Sequence, residues 1–394
     1  MNQVVVIDAK RSPVGKIPGE LNFIEETLLL SRVFVSMKKT WEKISVDEAV
    51  TGSSFPIERD NLCRKAVQNI DGLEAVPAYT LSKTCASSDE ALRTAYSRIK
   101  AGEAQVMLVG GCEKVSNSPY ALHFMKKSVK KAMRGQLPKY CEISHGIEEN
   151  DMVYINEMLS RTHQISREQQ DDFTLNSIRK AYTAEKKGFF RTEIVPIEYQ
   201  VGETSHSLAC DEWIGNDRPE HHIREAAPMF LEDGMITQYN AAPMCECAAA
   251  MLLANDTYAM RQKIPVLAVL KDAITIGVDR EERGNTMVSC VDRLLKRNHF
   301  MASDVDLFEI NESFASQAIH TMRQLGIEER KVNVNGGNLA LGYPIGATGL
   351  RMSISLIYEM IRRGVRWGIS VMCSGGNMAN AALFENPSPN CKGT

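Results

Sequence analysis

Unbroken apolar runs alternate with helically spaced ones from the start of the chain. Val4-Val5-Val6-Ile7 reads as a strand buried on both faces, Glu25 to Met37 as a helix, Glu48-Ala49-Val50 as a strand and Leu62 to Ile70 as a helix. A strand-like run, Ala78-Tyr79-Thr80-Leu81, leads into the polar turn Ser82-Lys83-Thr84-Cys85-Ala86-Ser87-Ser88. Beyond it, Ala91, Leu92, Ala95, Tyr96 and Ile99 recur at helical spacing and stop at Gly102. Gln105 to Gly111 closes the unit as another buried strand. This alternation predicts an α/β sheet covered by helices on both faces.

The C-terminal third repeats the order. Val266 to Leu270, Val305 to Ile310, Val332-Asn333-Val334 and Gly368 to Met372 read as strands. Val46-Asp47 with Ser54-Phe55 recurs as Val305-Asp306 with Ser313-Phe314; Ile99 with Gly102 recurs as Ile361 with Gly364; Gly110-Gly111 recurs as Gly375-Gly376. A nearly constant offset of about 260 residues implies two related α/β halves. The same offset makes the turn at Gly342-Tyr343-Pro344 the symmetry mate of the Cys85 turn, and duplicated halves place a site between them at the carboxyl ends of strands. Between the halves, over residues 115–250, polar residues rise and buried strands vanish. Asp151 to Thr162 and Arg167 to Lys187 read as helices there, the second with Ser166 as N-cap and Gln169 completing a capping box. The expected division is an N-terminal half over 1–114, an inserted cover over 115–250 and a C-terminal half over 251–394, with 251–262 able to complete the first half.

Composition narrows the class. With 394 residues, 44% of them hydrophobic, the chain can bury large cores; a net charge of -3 gives no electrostatic reason to expect a nucleic-acid or membrane partner. Lys126, Lys127, Lys130, Lys131 and Arg134 form a local basic stretch, either a solvated face or a cover for a phosphorylated substrate. No apolar run is long enough to span a bilayer, and the cytoplasm is the default location. The ten cysteines are irregularly spaced, and Cys245 and Cys247 are too tight and isolated a pair for zinc, so free thiols are expected.

Cys85 precedes a helix, where unpaired amides and the dipole favour a thiolate; an inert, buried cysteine explains the local pattern equally well. Four strand ends are unusually polar or glycine-rich: the Cys85 turn, Asn311-Glu312-Ser313-Phe314, Asn335 to Gly349, and Cys373-Ser374-Gly375-Gly376. Glycines let amides approach a ligand and form an oxyanion hole. One cysteine at a strand end in each half suggests a nucleophile and an acid/base, with a redox pair as the competing idea. Asn311 could fix a water or a carbonyl, or simply cap a turn.

These blocks resemble the thiolase family over nearly the whole chain. Ala9 to Lys16 resembles its opening motif, Thr84-Cys85-Ala86-Ser87-Ser88 its nucleophile motif, and Val109 to Ser116 the segment that follows. Asn311 to Phe314 resembles the NEAF block, Gly342-Tyr343-Pro344 the GHP block and Cys373-Ser374-Gly375 the CxG block. The resemblance implies a duplicated five-layer α-β-α-β-α core with an inserted loop domain. It implies an acyltransferase that makes or cleaves 3-ketoacyl-CoA, with coenzyme A thioesters as substrates, no resident cofactor, no metal, and a homodimer or homotetramer. It assigns Cys85 as acyl carrier, Cys373 as acid/base, Asn311 as holder of an oxyanion-hole water, and the amides of Cys85 and Gly375 as the other oxyanion hole. Met152, Asn240, Ala242 and Phe314 fall at the expected substrate pocket.

Departures cluster there. Tyr343 replaces the GHP histidine; a phenol with a pKa of about 10 can donate a hydrogen bond but poorly accepts a proton from a thiol with a pKa of about 8.5. Activation of Cys85 then falls to the helix dipole or to another residue, with His123 and His145 as candidates. Asp151-Met152-Val153 replaces His-Met-Gly, Ala242 replaces a serine expected on the pantetheine arm, and Cys247 stands where glycine is usual. The alternatives to a thiolase reaction are a slow enzyme using another acyl acceptor and a weakly active acyl-CoA-binding subunit.

Overall fold

The computed structural model describes residues 3–54, 61–117, 152–215 and 218–389. The basic stretch from Lys126 to Arg134, His123 and His145 lie outside the described residues. The first half runs β1 (Val4–Arg11), α1 (Glu26–Ser36), β2 (Glu48–Gly52), α2 (Leu62–Gln68), β3 (Ala78–Leu81), α3 (Ser87–Ala101) and β4 (Val106–Glu113). Helices α4 (Met152–Thr162) and α5 (Arg167–Lys186) follow, then a hairpin of β5 (Ile197–Val201) and β6 (Thr204–Leu208), and β7 (Cys247–Asn255). The second half runs β8 (Ala268–Gly277), α6 (Thr286–Arg297), β9 (Leu307–Ile310), α7 (Ala315–Leu325), α8 (Thr348–Arg363), β10 (Trp367–Ser374) and β11 (Met378–Glu385). The capping box opening α5 is formed as expected, Ser166 and Gln169 satisfying each other's backbone amides.

Nine strands form one hydrogen-bonded series, β3-β2-β4-β7-β1-β8-β11-β10-β9. The two halves join where β1 pairs antiparallel with β8, Val4 opposite Leu270 and Val6 opposite Ala268. Side-chain parity builds the layers. On β7, Ala248, Ala250, Leu252 and Ala254 face the cluster that holds α1 and α2, while Ala249, Met251 and Leu253 face a second cluster. That second cluster contains both α3 and α8 and apolar residues of both sheet halves, so the helix pair lies sandwiched between the halves. A third cluster packs α6 and α7 on the outer face of the second half. The result is the five layers implied by the sequence.

The internal repeat is visible at both ends of the central helices. Gly102 and Gly364 close α3 and α8 in the left-handed conformation, at φ 79° and 64°. At their starts the Leu350 amide donates to Ser88 Oγ at 3.1 Å, a pair 262 positions apart.

Two expectations need correction. Val332 to Val334 does not form a strand: Val332 makes a single bridge to Phe308. Asn333 turns left-handed at φ 44°, and its side chain takes over the backbone partners of Ile310, accepting from its amide and donating to its carbonyl at 2.8 Å each. A side chain that satisfies the neighbouring strand's backbone leaves the ladder nothing to extend on. The strand β7 begins at Cys247, inside the stretch read as free of buried strands; its alanine-rich sequence has low strand propensity, and burial on both faces overrides it.

Leu356 is 1% exposed in the central layer and Met260 is 73% exposed. Leu356→Ala is expected to lower stability by about 2–5 kcal/mol in denaturant unfolding, whereas Met260→Ala should change it by less than about 0.5 kcal/mol.

Candidate active site

The turn between β3 and α3 is held in an unusual shape. Thr84, a β-branched residue, sits at φ 46°, a conformation that persists only where surrounding bonds over-determine it. Those bonds come from both halves. The Ser54 and Ser87 hydroxyls donate to the Thr84 carbonyl, the Thr84 hydroxyl meets that of Ser374, and Ser374 Oγ donates to the Lys83 carbonyl at 2.8 Å. Ser374 ends β10, so the Cys85 turn of the first half is tied to the strand that carries Cys373.

Tyr343 is clamped on both sides. Its amide donates to the Pro243 carbonyl at 2.8 Å, and its carbonyl accepts from the Cys245 amide at 3.1 Å. The preceding Gly342 has φ 98°, and a Cβ there would run into Cys245 Sγ, so both backbone and space demand glycine. The Glu113 carboxylate, at the end of β4, accepts from the amides of Gly346 at 2.7 Å and Ser54 at 3.0 Å. This anchors the Tyr343 loop to the first half.

These elements enclose a cavity of about 600 Å³. Its chemical end is formed by Cys85, Ser313, Tyr343, Cys373, Ser374 and Gly375; its walls are apolar, with Met152, Trp213, Ala242, Met244, Phe314 and Ile345. Of the residues expected from sequence, Cys85, Cys373, Tyr343, Gly375, Met152, Ala242 and Phe314 meet at this cavity. Asn240 does not. It is fully buried, its amide donating to Asp171 and to the Met235 carbonyl while its Oδ1 accepts from the Thr237 amide, so its side chain braces the loop and does not line the cavity.

Asn311 is also deeper than expected. It is fully buried, and its Nδ2 donates to Ser313 Oγ at 2.7 Å and Cys373 Sγ at 3.3 Å. Ser313, not Asn311, lines the cavity. Cys373 donates in turn to Gln317 Oε1 at 3.2 Å. Ser313, in the bend before α7, and Gln317, in its first turn, went unrecognised as site residues in the sequence, because nothing local marks their bonds to Cys373.

Burial dominates the protonation of every group here. It raises the Cys85 thiol above its usual range, opposed by Tyr343 and by the Gly375 amide. The thiolate expected from the helix start is thus outweighed by desolvation. Cys373 is pushed up to about 11 by burial and by Cys85, opposed by its bonds to Asn311, Ser313 and Gln317. Tyr343 is driven well above a normal phenol, mainly by burial and then by the two cysteines. Its buried hydroxyl lies beside both sulfurs and, among the described residues, has no partner in good hydrogen-bonding geometry. It is therefore a neutral donor.

All eight described cysteines are free. Among the described residues no group of three or more His, Cys, Asp or Glu is placed to hold a metal ion, and no helix is long and apolar enough to cross a membrane.

Comparison with known proteins agrees with this geometry. Residues 4–257 match the family described as "Thiolase, N-terminal domain" and residues 264–386 match "Thiolase, C-terminal domain". The Bacillus subtilis 3-ketoacyl-CoA thiolase is 31% identical over 98% of this chain and 100% of its own length. The crystal structure of the Bacillus anthracis acetyl-CoA acetyltransferase superposes with a TM-score of 0.89 at 30% identity, covering 98% of this chain and 99% of that one. Human mitochondrial 3-ketoacyl-CoA thiolase does so with a TM-score of 0.88 at 26% identity, covering 98% and 99%. The Cys85 turn from one half and the buried Cys373 thiol from the other, joined across a duplicated five-layer core and matched over both halves, establish that this chain belongs to the thiolase family.

Proposed function

We propose that the protein is a thiolase-type acyltransferase that makes or cleaves 3-ketoacyl-CoA through an acyl thioester on Cys85. The observation that carries this reading is that Cys85 and Cys373, from different halves, line one mostly apolar cavity together with Gly375. Cys85 Sγ attacks the carbonyl of an acyl-CoA; the new S–C bond replaces the bond to the coenzyme, and the proton lost by Cys85 ends on the departing thiol. In this reading the amides of Cys85 and Gly375 hold the oxyanion. For condensation, the small thiolate fraction of Cys373 removes a Cα proton from a second thioester, the carbanion forms a C–C bond to the acyl carbon as Cys85 departs, and Cys373 passes the proton on to the Cys85 thiolate. Ser313 and Tyr343 supply hydroxyl donors for the second thioester carbonyl. Coenzyme A thioesters are substrates in this scheme, and no resident cofactor takes part.

Neither Tyr343 nor Cys373 is a strong base toward Cys85 at neutral pH, so acylation draws on a small thiolate fraction. Strand β3 ends the sheet with all four residues only half-buried, and among the described residues its outer edge is unpaired; a second copy of the chain pairing there fits a homodimer, alone or within a tetramer.

Intact-mass measurement after mixing with acetyl-CoA should show an acetyl adduct that is absent in Cys85→Ala; a wild-type protein with no adduct over hours refutes the reading. Because the Cys85 pKa is raised, its thiolate fraction grows with pH throughout the neutral range, and the acylation rate should climb about tenfold per pH unit until the thiol titrates. A rate already flat at pH 7 would show that another group activates the sulfur. Tyr343→His restores a proton acceptor, and stopped-flow acylation at pH 7 should accelerate by about tenfold or more; an equal or slower rate counts against the missing base.

A further inference from the structure

A chain of hydrogen bonds runs from the interior to Cys373 in one direction only. Arg351 on α8 is 1% exposed and donates through Nη2 to Asn338 Oδ1 at 2.9 Å. Asn338, also 1% exposed, donates through Nδ2 to Asn311 Oδ1 at 2.6 Å. Asn311 then donates through Nδ2 to Cys373 Sγ and Ser313 Oγ.

The direction follows from the first member. A guanidinium has donors and no acceptor, so only the oxygen of Asn338 can face Arg351. That turns the Asn338 nitrogen towards Asn311, whose oxygen must receive it, and this in turn points the Asn311 nitrogen at the sulfur. An asparagine amide is otherwise free to sit either way round, since its two ends have the same shape. With Asn311 reversed, an amide oxygen would face Cys373 and destabilise its thiolate.

We propose that Arg351 and Asn338 are positioning residues that lock the Asn311 amide with its NH2 toward Cys373, setting the proton affinity of the acid/base thiol from two residues away. The assignment builds on the role given to Cys373 above. Arg351 is suited to the part because Nε and Nη1 have no hydrogen-bond partner among the described residues, leaving the bond to Asn338 as the anchor of the guanidinium there. Burial without full pairing is costly, and a role in orienting the site accounts for a charge kept there.

Asn338→Asp tests the lock. A carboxylate accepts from Arg351 and presents only acceptors to Asn311, so the Asn311 amide must reverse. The readout is the pH dependence of Cys373 alkylation by iodoacetamide in a Cys85→Ser background, followed by peptide mass mapping. It needs no acyltransfer, so a protein that failed to acylate would refute the function above while leaving these profiles informative. The half-point in Asn338→Asp should rise by about one unit, seen as about tenfold slower alkylation below it. The same change in an Asn311→Ala background should add less than about threefold, because nothing remains to reverse. No shift in the first comparison, or an equal shift in both, the mark of a through-space charge, overturns the proposal. Asn338→Leu, neutral and nearly isosteric, covers the case in which the aspartate variant does not fold. It should slow alkylation by about threefold or more, and a profile superimposable on the wild type overturns the lock.

Discussion

The structure depends on two helices beginning side by side between two sheets. The starts of α3 and α8 meet through the Ser88 hydroxyl and the Leu350 amide, and glycines at 111 and 349 permit the approach, since a Cβ at either would press on Ser88 or Asp89. Asp89 is buried at this junction and is raised to about 7, chiefly by desolvation. The Cys85 turn leads into α3, and the loop that carries Tyr343 leads into α8. Bringing the helix starts together therefore brings the Cys85 turn and the Tyr343 loop together, without either having to be long or flexible.

Burial then sets the chemistry. Both thiols and the phenol are kept protonated by loss of water, and each is drawn back only by specific donors: Tyr343 and the Gly375 amide for Cys85, and Asn311, Ser313 and Gln317 for Cys373. A cavity walled by Met152, Trp213, Ala242, Met244, Phe314 and Ile345 strengthens such interactions because little water competes for them. The same walls leave charged groups without relief, so burial favours the neutral forms of Cys85, Cys373 and Tyr343. Tyr343 fits that economy as a hydrogen-bond donor and departs from it as a base.

Other motifs of the chain prove structural. Arg11, in the opening motif, is fully buried and pairs with Glu193 and Asp211, tying β1 to the loops between the halves. Glu312, beside Asn311, accepts from Asn333, Ser177 and the Leu339 amide, holding the turn that carries Asn338 against α5. Such polar residues support the site by fixing backbone around it, and in isolation their sequence looks no different from that of a residue that touches substrate.

Local pattern alone determined the helices, the central strands, the duplication and the two cysteines at strand ends, because helix periodicity, strand burial and glycine stops are written in near neighbours. Ala78 to Leu81 and the stop of α3 at Gly102 were legible for that reason. Three things only the tertiary structure decided. Asn333 keeps residues 332–334 from forming a strand by bonding Ile310, 23 positions away; Asn240 turns its side chain inward to Asp171; and Asn311 lies beneath the cavity lining, its amide bonded to Asn338 and through it to Arg351. Each turns on which partner a polar side chain finds once the layers close, and on how much water closure removes. Sequence spacing carries the positions of such groups along the chain, but their partners and their desolvation exist only after the two halves have packed around α3 and α8.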